Sequence, residues 1–191
     1  MIAPLHIFVF LGLFSPGPNV ILLTTSGARF GFRRTVPHLL GVALGVGIIA
    51  FVTGLGLGAL MTAVPSLRIA LTVIAALWIL WMAWKLWNAK PLNEDAAERP
   101  FTFVEAVLFQ WVNPKIWAVA LSASAILQEV SPLSQAMWLG ITFSSVNLGV
   151  CLFWSYAGSL LSVLLSDPPK WRLFMRVMAV ALAVFSGLVF L

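Results

Sequence analysis

Phe14–Asn19, with the sequence FSPGPN, interrupts an apolar run that extends from about Pro4 to Ser26. Proline lacks the N–H that an interior helical turn needs, and its ring clashes with the preceding turn, so this segment breaks a helix. A second interruption, Phe109–Lys115 with the sequence FQWVNPK, lies in the apolar run Phe101–Leu127. Both begin about a dozen residues or fewer into their runs, which places them near the middle of a bilayer core about 30 Å thick.

The composition of the whole chain indicates lipid rather than water as its surroundings. Apolar residues make up 61% of the 191 residues and charged residues 9%, whereas soluble domains carry about 25% charged residues. We therefore predict an all-α integral membrane protein of six transmembrane helices. The six spans are approximately Pro4–Ser26, Pro37–Met61, Leu67–Trp87, Phe101–Leu127, Leu133–Leu160 and Trp171–Leu191. The uncharged stretch 130–166 is interpreted as one long helix with an interfacial tail, because it contains too few turn residues for a hairpin.

The basic residues indicate how these spans are oriented. With six spans, nine Lys and Arg side chains fall on one side and Arg68 alone on the other, which predicts cytoplasmic basic loops and both termini outside. The nine are Arg29, Arg33, Arg34, Lys85, Lys90, Arg99, Lys170, Arg172 and Arg176. The polar linker 89–100 divides a single membrane domain into halves 1–88 and 101–191. Each half has an odd number of spans, so the halves are expected to form two inverted-topology repeats of three helices, a common plan in secondary transporters.

Each interruption is expected to start a new helix in the middle of the membrane. Proline is favoured in the first helical turn, and a preceding Ser, Gly or Asn suits the cap, as in Ser15-Pro16, Gly17-Pro18 and Asn113-Pro114. Helix N-termini carry unpaired N–H groups and partial positive charge, so they bind anions such as a carboxylate. A single such proline is more often a simple kink, but two clusters at matching depth favour a binding site.

Further polar and aromatic residues near the breaks are candidates for the same site. Lys115 lies within a span, where a charge costs about 2.5–3.5 kcal/mol unless it faces a polar cavity; the alternative is that it snorkels to the interface. Asn147 lies near mid-depth in the fifth span. Trp111 and Trp117 flank the second break and either wall the site or serve ordinary packing. His38, at the start of the second span, is expected at the interface.

Three motifs together resemble the lysine exporter family, most closely its homoserine/threonine exporter branch. They are Ser15–Asn19 (SPGPN), Gly27–Arg34 (GARFGFRR) and Asn113–Lys115 (NPK). The likeness covers nearly the whole chain, including the linker. It implies a multi-pass protein of the bacterial cytoplasmic membrane that exports amino acids, driven by the proton gradient. By position, the substrate-binding residues of the two motifs are Ser15, Pro16, Gly17, Pro18, Asn19, Asn113, Pro114 and Lys115.

We predict from these features a secondary transporter that exports amino acids or related small zwitterions by alternating access. A passive channel and a non-transporting membrane assembly factor remain as alternatives. An enzyme is not expected, because His-Glu-x-x-His, Gly-x-Ser-x-Gly and phosphate-loop motifs are absent from the sequence.

The expected partners are an amino-acid substrate and membrane lipid. Nucleic acid is not expected, since the basic residues are scattered between apolar runs. We expect no cofactor and no metal, and the single cysteine, Cys151, excludes an intrachain disulfide. Gly41 and Gly45 form a small-xxx-small pair for close helix packing or for a homodimer.

Overall fold

The computed structural model describes residues 2–57, 63–89, 99–127 and 130–188, and within these ranges all regular structure is helical. The α-helices are α1 (Ile2–Phe14), α2 (Pro18–Phe30), α3 (Phe32–Val52), α4 (Pro65–Trp87), α5 (Phe103–Trp111), α6 (Pro114–Ser124), α7 (Pro132–Leu164) and α8 (Pro168–Leu188). A π-helical turn, Thr53–Leu57, follows α3, and a 3-10 turn, Ala125–Leu127, follows α6. The chain is therefore an all-α protein.

The helix boundaries follow from local sequence. Proline stands at the first position of α2, α4, α6, α7 and α8, where its missing N–H has no intrahelical partner to lose. Thr102 and Glu105 form a capping box at the start of α5, each side chain bonding the other's backbone N–H. Gly31 separates α2 from α3 with φ 78°, a conformation that glycine adopts readily.

Both predicted breaks are present. Helix α1 ends at Phe14, α2 begins at Pro18, and the two axes differ in direction by 59°. Helix α5 ends at Trp111 and α6 begins at Pro114. The first and fourth predicted spans are therefore each a pair of short helices joined at a proline cluster.

The predicted spans agree with the helices to different degrees. Four helical segments are individually long and apolar enough to cross a membrane (Phe32–Leu57, Ile69–Trp87, Pro132–Ser162 and Pro168–Leu188), and the bent α1–α2 pair adds a fifth. Helices α5 and α6 are each too short to qualify, so the count of six stays a prediction. Helix α7 confirms the prediction that the uncharged stretch 130–166 contains one long continuous helix.

One boundary was predicted wrongly, and several others cannot be compared. The second span begins at Phe32 rather than Pro37, which lies inside α3. Pro37 has no N–H to donate to the Arg33 carbonyl one turn earlier, and this loss is tolerated because Arg33 is exposed. Met61, residues 90–98 of the linker, the side chain of Arg68 and residues 189–191 lie outside the described residues.

Helix α7 packs against α2 and α3, α3 also packs against α5, and α4 pairs with α8. The Gly41–Gly45 pair belongs to the α3–α5 contact, because a Cβ at Gly41 would lie only 2.3 Å from the Phe103 carbonyl oxygen. The pair therefore serves packing within the chain, and a homodimer would need a different surface. This packing brings the two breaks side by side.

Candidate solute-binding site

A pair of amide side chains joins the two breaks. Asn19, in the first turn of α2, donates from Nδ2 to Gln110 Oε1 at 2.8 Å. Gln110, in the last turn of α5, donates from Nε2 to Asn19 Oδ1 at 3.2 Å and to the Ala106 carbonyl at 2.9 Å. Gln110 is fully buried, and its Oε1 also accepts from Asn113 Nδ2 at 3.4 Å. Gln110 therefore links the second break to Asn19, a residue 91 positions earlier in the sequence.

The ammonium of Lys115 makes a second link between the breaks. Its Nζ donates to the Ser15 carbonyl oxygen, to Ser15 Oγ at 2.9 Å and to the Pro16 carbonyl oxygen at 3.4 Å. Those carbonyls lie at the negative end of α1, where the break removes their helical partners. Gly17 leaves room for this side chain, since a Cβ there would lie 2.8 Å from Lys115 Cδ. Lys115 thus faces polar backbone and does not lie bare in the apolar interior.

The two links start from equivalent positions in the two broken helix pairs. Asn19 and Lys115 are each the second residue of the helix that follows a break, α2 and α6 respectively. Asn19 bonds to Gln110 at the end of α5, and Lys115 bonds to the residues that follow α1. Each broken span therefore uses the start of its second helix to satisfy the end of the other span's first helix.

A small cavity of about 10 Å³ lies between the breaks, with room for about one water molecule. Its lining residues are Leu13, Gly17, Asn19, Val20, Asn113, Lys115, Ile116 and Asn147. Neither N-cap residue, Gly17 or Asn113, caps its helix with a side-chain hydrogen bond. The N-termini of α2 and α6 therefore both reach the cavity without a side-chain cap.

Two polar atoms at this cavity are buried without a hydrogen-bond partner in the described part of the chain. They are Asn113 Oδ1, an acceptor, and Asn147 Nδ2, a donor. Leaving a buried polar group unpaired costs about 1–3 kcal/mol, so each of these two atoms needs an explanation. A ligand that carries both a donor and an acceptor would satisfy them.

The structure separates the remaining predicted site residues from this cavity. Ser15 and Pro16 accept hydrogen bonds from Lys115, which lines the cavity, and they are themselves exposed. Pro18 and Pro114 are the first residues of α2 and α6. Trp111 and Trp117 are not among the lining residues. Their rings contact each other at 6.2 Å, and Trp117 Nε1 donates to the Trp111 carbonyl at 2.9 Å, which satisfies backbone freed by the second break.

Gln110 is the site residue that sequence reasoning missed. The available signal was an uncharged amide inside an apolar span, one turn before the second proline cluster. Amides in such spans commonly join helices by hydrogen bonds. Its central position between the breaks depends on the packing of α3 against α2, α5 and α7, which local sequence does not specify.

A larger cavity of about 420 Å³, the basic-end vestibule, lies between α2, α3, α4 and α5. Its lining residues are Leu22, Thr25, Ser26, Arg29, Phe30, His38, Trp78, Trp81, Met82, Lys85, Leu86, Arg99, Pro100, Phe101 and Glu105. Both guanidinium NH groups of Arg99 bind Glu105, each at 2.7 Å. That hydrogen bonding raises the pKa of Arg99 above its ordinary value. His38 is buried beside Phe101, and its expected position at the membrane interface stays a prediction.

Comparison with known protein families decides the class of protein. The family described as LysE type translocator matches residues 10–191. The chain belongs to this family. The expected resemblance to the lysine exporters is thereby confirmed, and so is the expectation of a transporter rather than an enzyme. Members are membrane translocators, which agrees with the long apolar helices of this LysE-family protein.

Individual relatives of this LysE-family protein are more distant. A protein of Escherichia coli (strain K12) named "Cysteine/O-acetylserine efflux protein" is 25% identical over 149 residues, which is 76% of each chain. A protein of the same name from Salmonella typhimurium (strain LT2) is 24% identical over 148 residues, again 76% of each chain. No solved structure matches the chain.

Proposed function

We propose that this chain exports an amino acid or a closely related small zwitterion, which binds between the two breaks. The observation that carries the proposal is that two buried polar atoms, Asn113 Oδ1 and Asn147 Nδ2, have no hydrogen-bond partner among the described residues. Both residues line a cavity that two helix N-termini and Lys115 also reach. An α-carboxylate suits the helix N-termini and the lysine. An α-ammonium suits the unpaired amide oxygen of Asn113, because it carries three donors and no acceptor.

The relatives narrow the proposed substrate to small polar amino acids. Two of them are named for efflux of cysteine and O-acetylserine. Besides the polar groups, the cavity offers Leu13, Val20 and Ile116 as apolar lining, which suits a short side chain. L-Cysteine, O-acetyl-L-serine, L-threonine and L-homoserine form the panel to test first.

We propose a carrier with alternating access rather than a passive channel. The cavity between the breaks holds about one water molecule, so a zwitterion fits only after the surrounding helices separate. Packed helices around a midplane site that open alternately to each side are the general mechanism of secondary transporters. The proton gradient is the proposed driving force, and its collapse by an ionophore should stop uphill export.

The proposed topology has six crossings in two inverted halves, with both termini outside. In support, the basic loops converge at one end of the molecule. Arg29, Lys85 and Arg99 line one vestibule, and the Arg176 guanidinium lies 5.1 Å from the centre of the Trp87 ring. Positive charge marks the cytoplasmic side of membrane proteins, so this end is proposed to face the cytoplasm of a bacterial cell.

The binding residues can be tested by export from substrate-loaded proteoliposomes. We expect Asn113→Ala and Lys115→Ala each to reduce the export rate by about 10-fold or more. Each substitution removes a charge-assisted contact to the substrate worth at least about 1.4 kcal/mol, which corresponds to a factor of ten. Asn88→Ala and Lys170→Ala are the matched controls, because both side chains are exposed and far from the cavity. Equal rates in all four variants would reject the site between the breaks.

Two further measurements separate the alternatives. A carrier exchanges labelled substrate inside for unlabelled substrate outside in a saturable manner, whereas a pore shows no such exchange. An assembly factor would show neither export nor a rise in melting temperature on addition of the panel amino acids. A transporter is expected to be stabilised by its substrate, because the ligand binds the folded state only.

A further inference from the structure

The basic-end vestibule and the cavity between the breaks are lined by residues that follow one another along one side of α2. Asn19 lines the cavity, Leu22 and Ser26 line the vestibule, and Arg29 lies at its basic rim. These residues are three or four positions apart, so they follow one face of the helix, and about 15 Å separates Asn19 from Arg29 along the axis. Leu22 is the vestibule residue on this face that is nearest in the sequence to Asn19.

The vestibule is large enough for a solute, whereas the cavity between the breaks is not. Its 420 Å³ falls within the range of about 300–1,000 Å³ typical of small-molecule sites. Its walls combine apolar surface, including Trp78 and Trp81, with a few polar groups at one end. This combination is typical of pockets that bind a small organic molecule with a defined orientation.

The charged groups of the vestibule favour an anionic group. Its described lining contains the basic side chains of Arg29, Lys85 and Arg99 against the single carboxylate of Glu105. Glu105 is bound by Arg99 through both carboxylate oxygens. The Lys85 ammonium lies 3.9 Å from the centre of the Trp81 ring, where it is held at the cavity wall. A carboxylate that enters this space therefore meets the basic side chains of Arg29 and Lys85 beside the Arg99–Glu105 pair.

A second observation points to a ligand in the same space. His38 is 3% exposed and lines the vestibule, and its Nδ1 has no hydrogen-bond partner among the described residues. A buried ring nitrogen without a partner is costly unless another molecule supplies one. The ring lies beside Phe101, with the centroids 5.2 Å apart.

We infer that the basic-end vestibule is a second solute-binding site, where the exporter first takes up its substrate by the carboxylate before the substrate reaches the cavity between the breaks. The inference rests on the proposed function, because it concerns the same solute on the same route. It assigns the apparent affinity for substrate on the loading side to Arg29 and Lys85. These residues are distinct from the binding residues between the breaks.

The concentration dependence of export tests this assignment. With O-acetyl-L-serine as the probe, Arg29→Gln and Lys85→Gln should each raise the half-saturating concentration about 10-fold, since a lost charged contact of about 1.4 kcal/mol corresponds to that factor. The maximal rate should change little, because the site between the breaks is intact. Arg33→Gln and Lys170→Gln are matched controls of the same type, exposed and outside the vestibule.

A labelling experiment detects occupancy without transport. In a Cys151→Ala background, Ser26→Cys places one thiol in the vestibule and Asn88→Cys places one outside it. O-Acetyl-L-serine should slow modification of the first thiol by an impermeant reagent and leave the second unaffected. The methyl ester of O-acetyl-L-serine, which lacks the carboxylate, should protect neither. Protection of the first thiol should persist after Lys115→Ala, although export does not.

The outcomes separate the two proposals. If the parent chain exports O-acetyl-L-serine with equal half-saturation in all four Gln variants and the introduced thiol is not protected, the vestibule assignment is overturned and the exporter proposal stands. If the parent chain exports none of the panel, the exporter proposal itself fails. Protection by the methyl ester as strong as by O-acetyl-L-serine would also contradict a carboxylate site.

Discussion

At the scale of single residues, the two breaks show how side chains satisfy the backbone groups that an interrupted helix leaves without partners. Lys115 donates to the carbonyls of Ser15 and Pro16, and Trp117 donates to that of Trp111. In hydrocarbon, each unsatisfied backbone group costs several kcal/mol, so these side chains replace the bonds that the prolines remove. Lys115 therefore stabilises the fold in addition to its proposed role toward substrate.

Gln110 gives the sharpest prediction at this scale. Gln110→Leu keeps the volume of the side chain but leaves the amides of Asn19 and Asn113 without their shared partner. We expect the free energy of unfolding to fall by about 1–3 kcal/mol, measured as a lower melting temperature in detergent. Export should fall as well, because Asn19 lines the cavity.

The matched comparison for that substitution is Gln135→Leu. Gln135 donates to the carbonyls of Ser124 and Leu127 at the turn between α6 and α7, away from the cavity. This variant is expected to lose stability while its export rate per folded molecule stays at the parent level. If Gln110→Leu exported at the parent rate, the amide pair would be structural only.

At the scale of helices, close crossings rather than side-chain interdigitation position α2 against α7. A Cβ at Gly27 would lie 2.2 Å from the Ser155 carbonyl oxygen, and one at Gly158 would lie 2.1 Å from that of Thr24. Small residues of this kind let membrane helices approach through their backbones. The crossing fixes the depth of α2, and hence the position of its N-terminus at the break.

A single methyl group should therefore disturb this crossing. Gly158→Ala is expected to cost about 1–3 kcal/mol, the usual penalty for overpacking, because a backbone atom cannot yield as a side chain does. Gly149→Ala is the control on the same helix, since nothing lies within 4 Å of its Cβ position. The melting temperature should drop for the first variant and hold for the second; equal temperatures would mean that the helices separate without penalty.

At the scale of the whole molecule, the distribution of charge and cavities supports the proposed direction of transport. The vestibule lies at the basic end, and the cavity between the breaks lies deeper along α2. A protein that loads solute from the cytoplasm is expected to present its larger opening on that side. The proposed orientation and the proposed direction of transport thus depend on the same assignment of sides.

Cysteine labelling in intact cells checks that assignment. In the Cys151→Ala background, Leu133→Cys lies at the start of α7 and Asn88→Cys at the end of α4, both exposed and at opposite ends. An impermeant maleimide should react with the first thiol in intact cells and with the second only after the cells are opened. The reverse pattern would place the basic loops outside and contradict the outward termini.

The sequence by itself determined the membrane character of the chain, the position of both helix breaks and the presence of a cation beside one of them. These features are local, because a proline removes its own N–H and a span needs its own apolar residues whatever surrounds them. The tertiary structure alone decided that Gln110 joins the breaks, that Asn147 faces their cavity and that His38 is buried at a vestibule. Those placements depend on how distant helices pack, and the Asn19–Gln110 bond spans 91 residues that no local pattern relates.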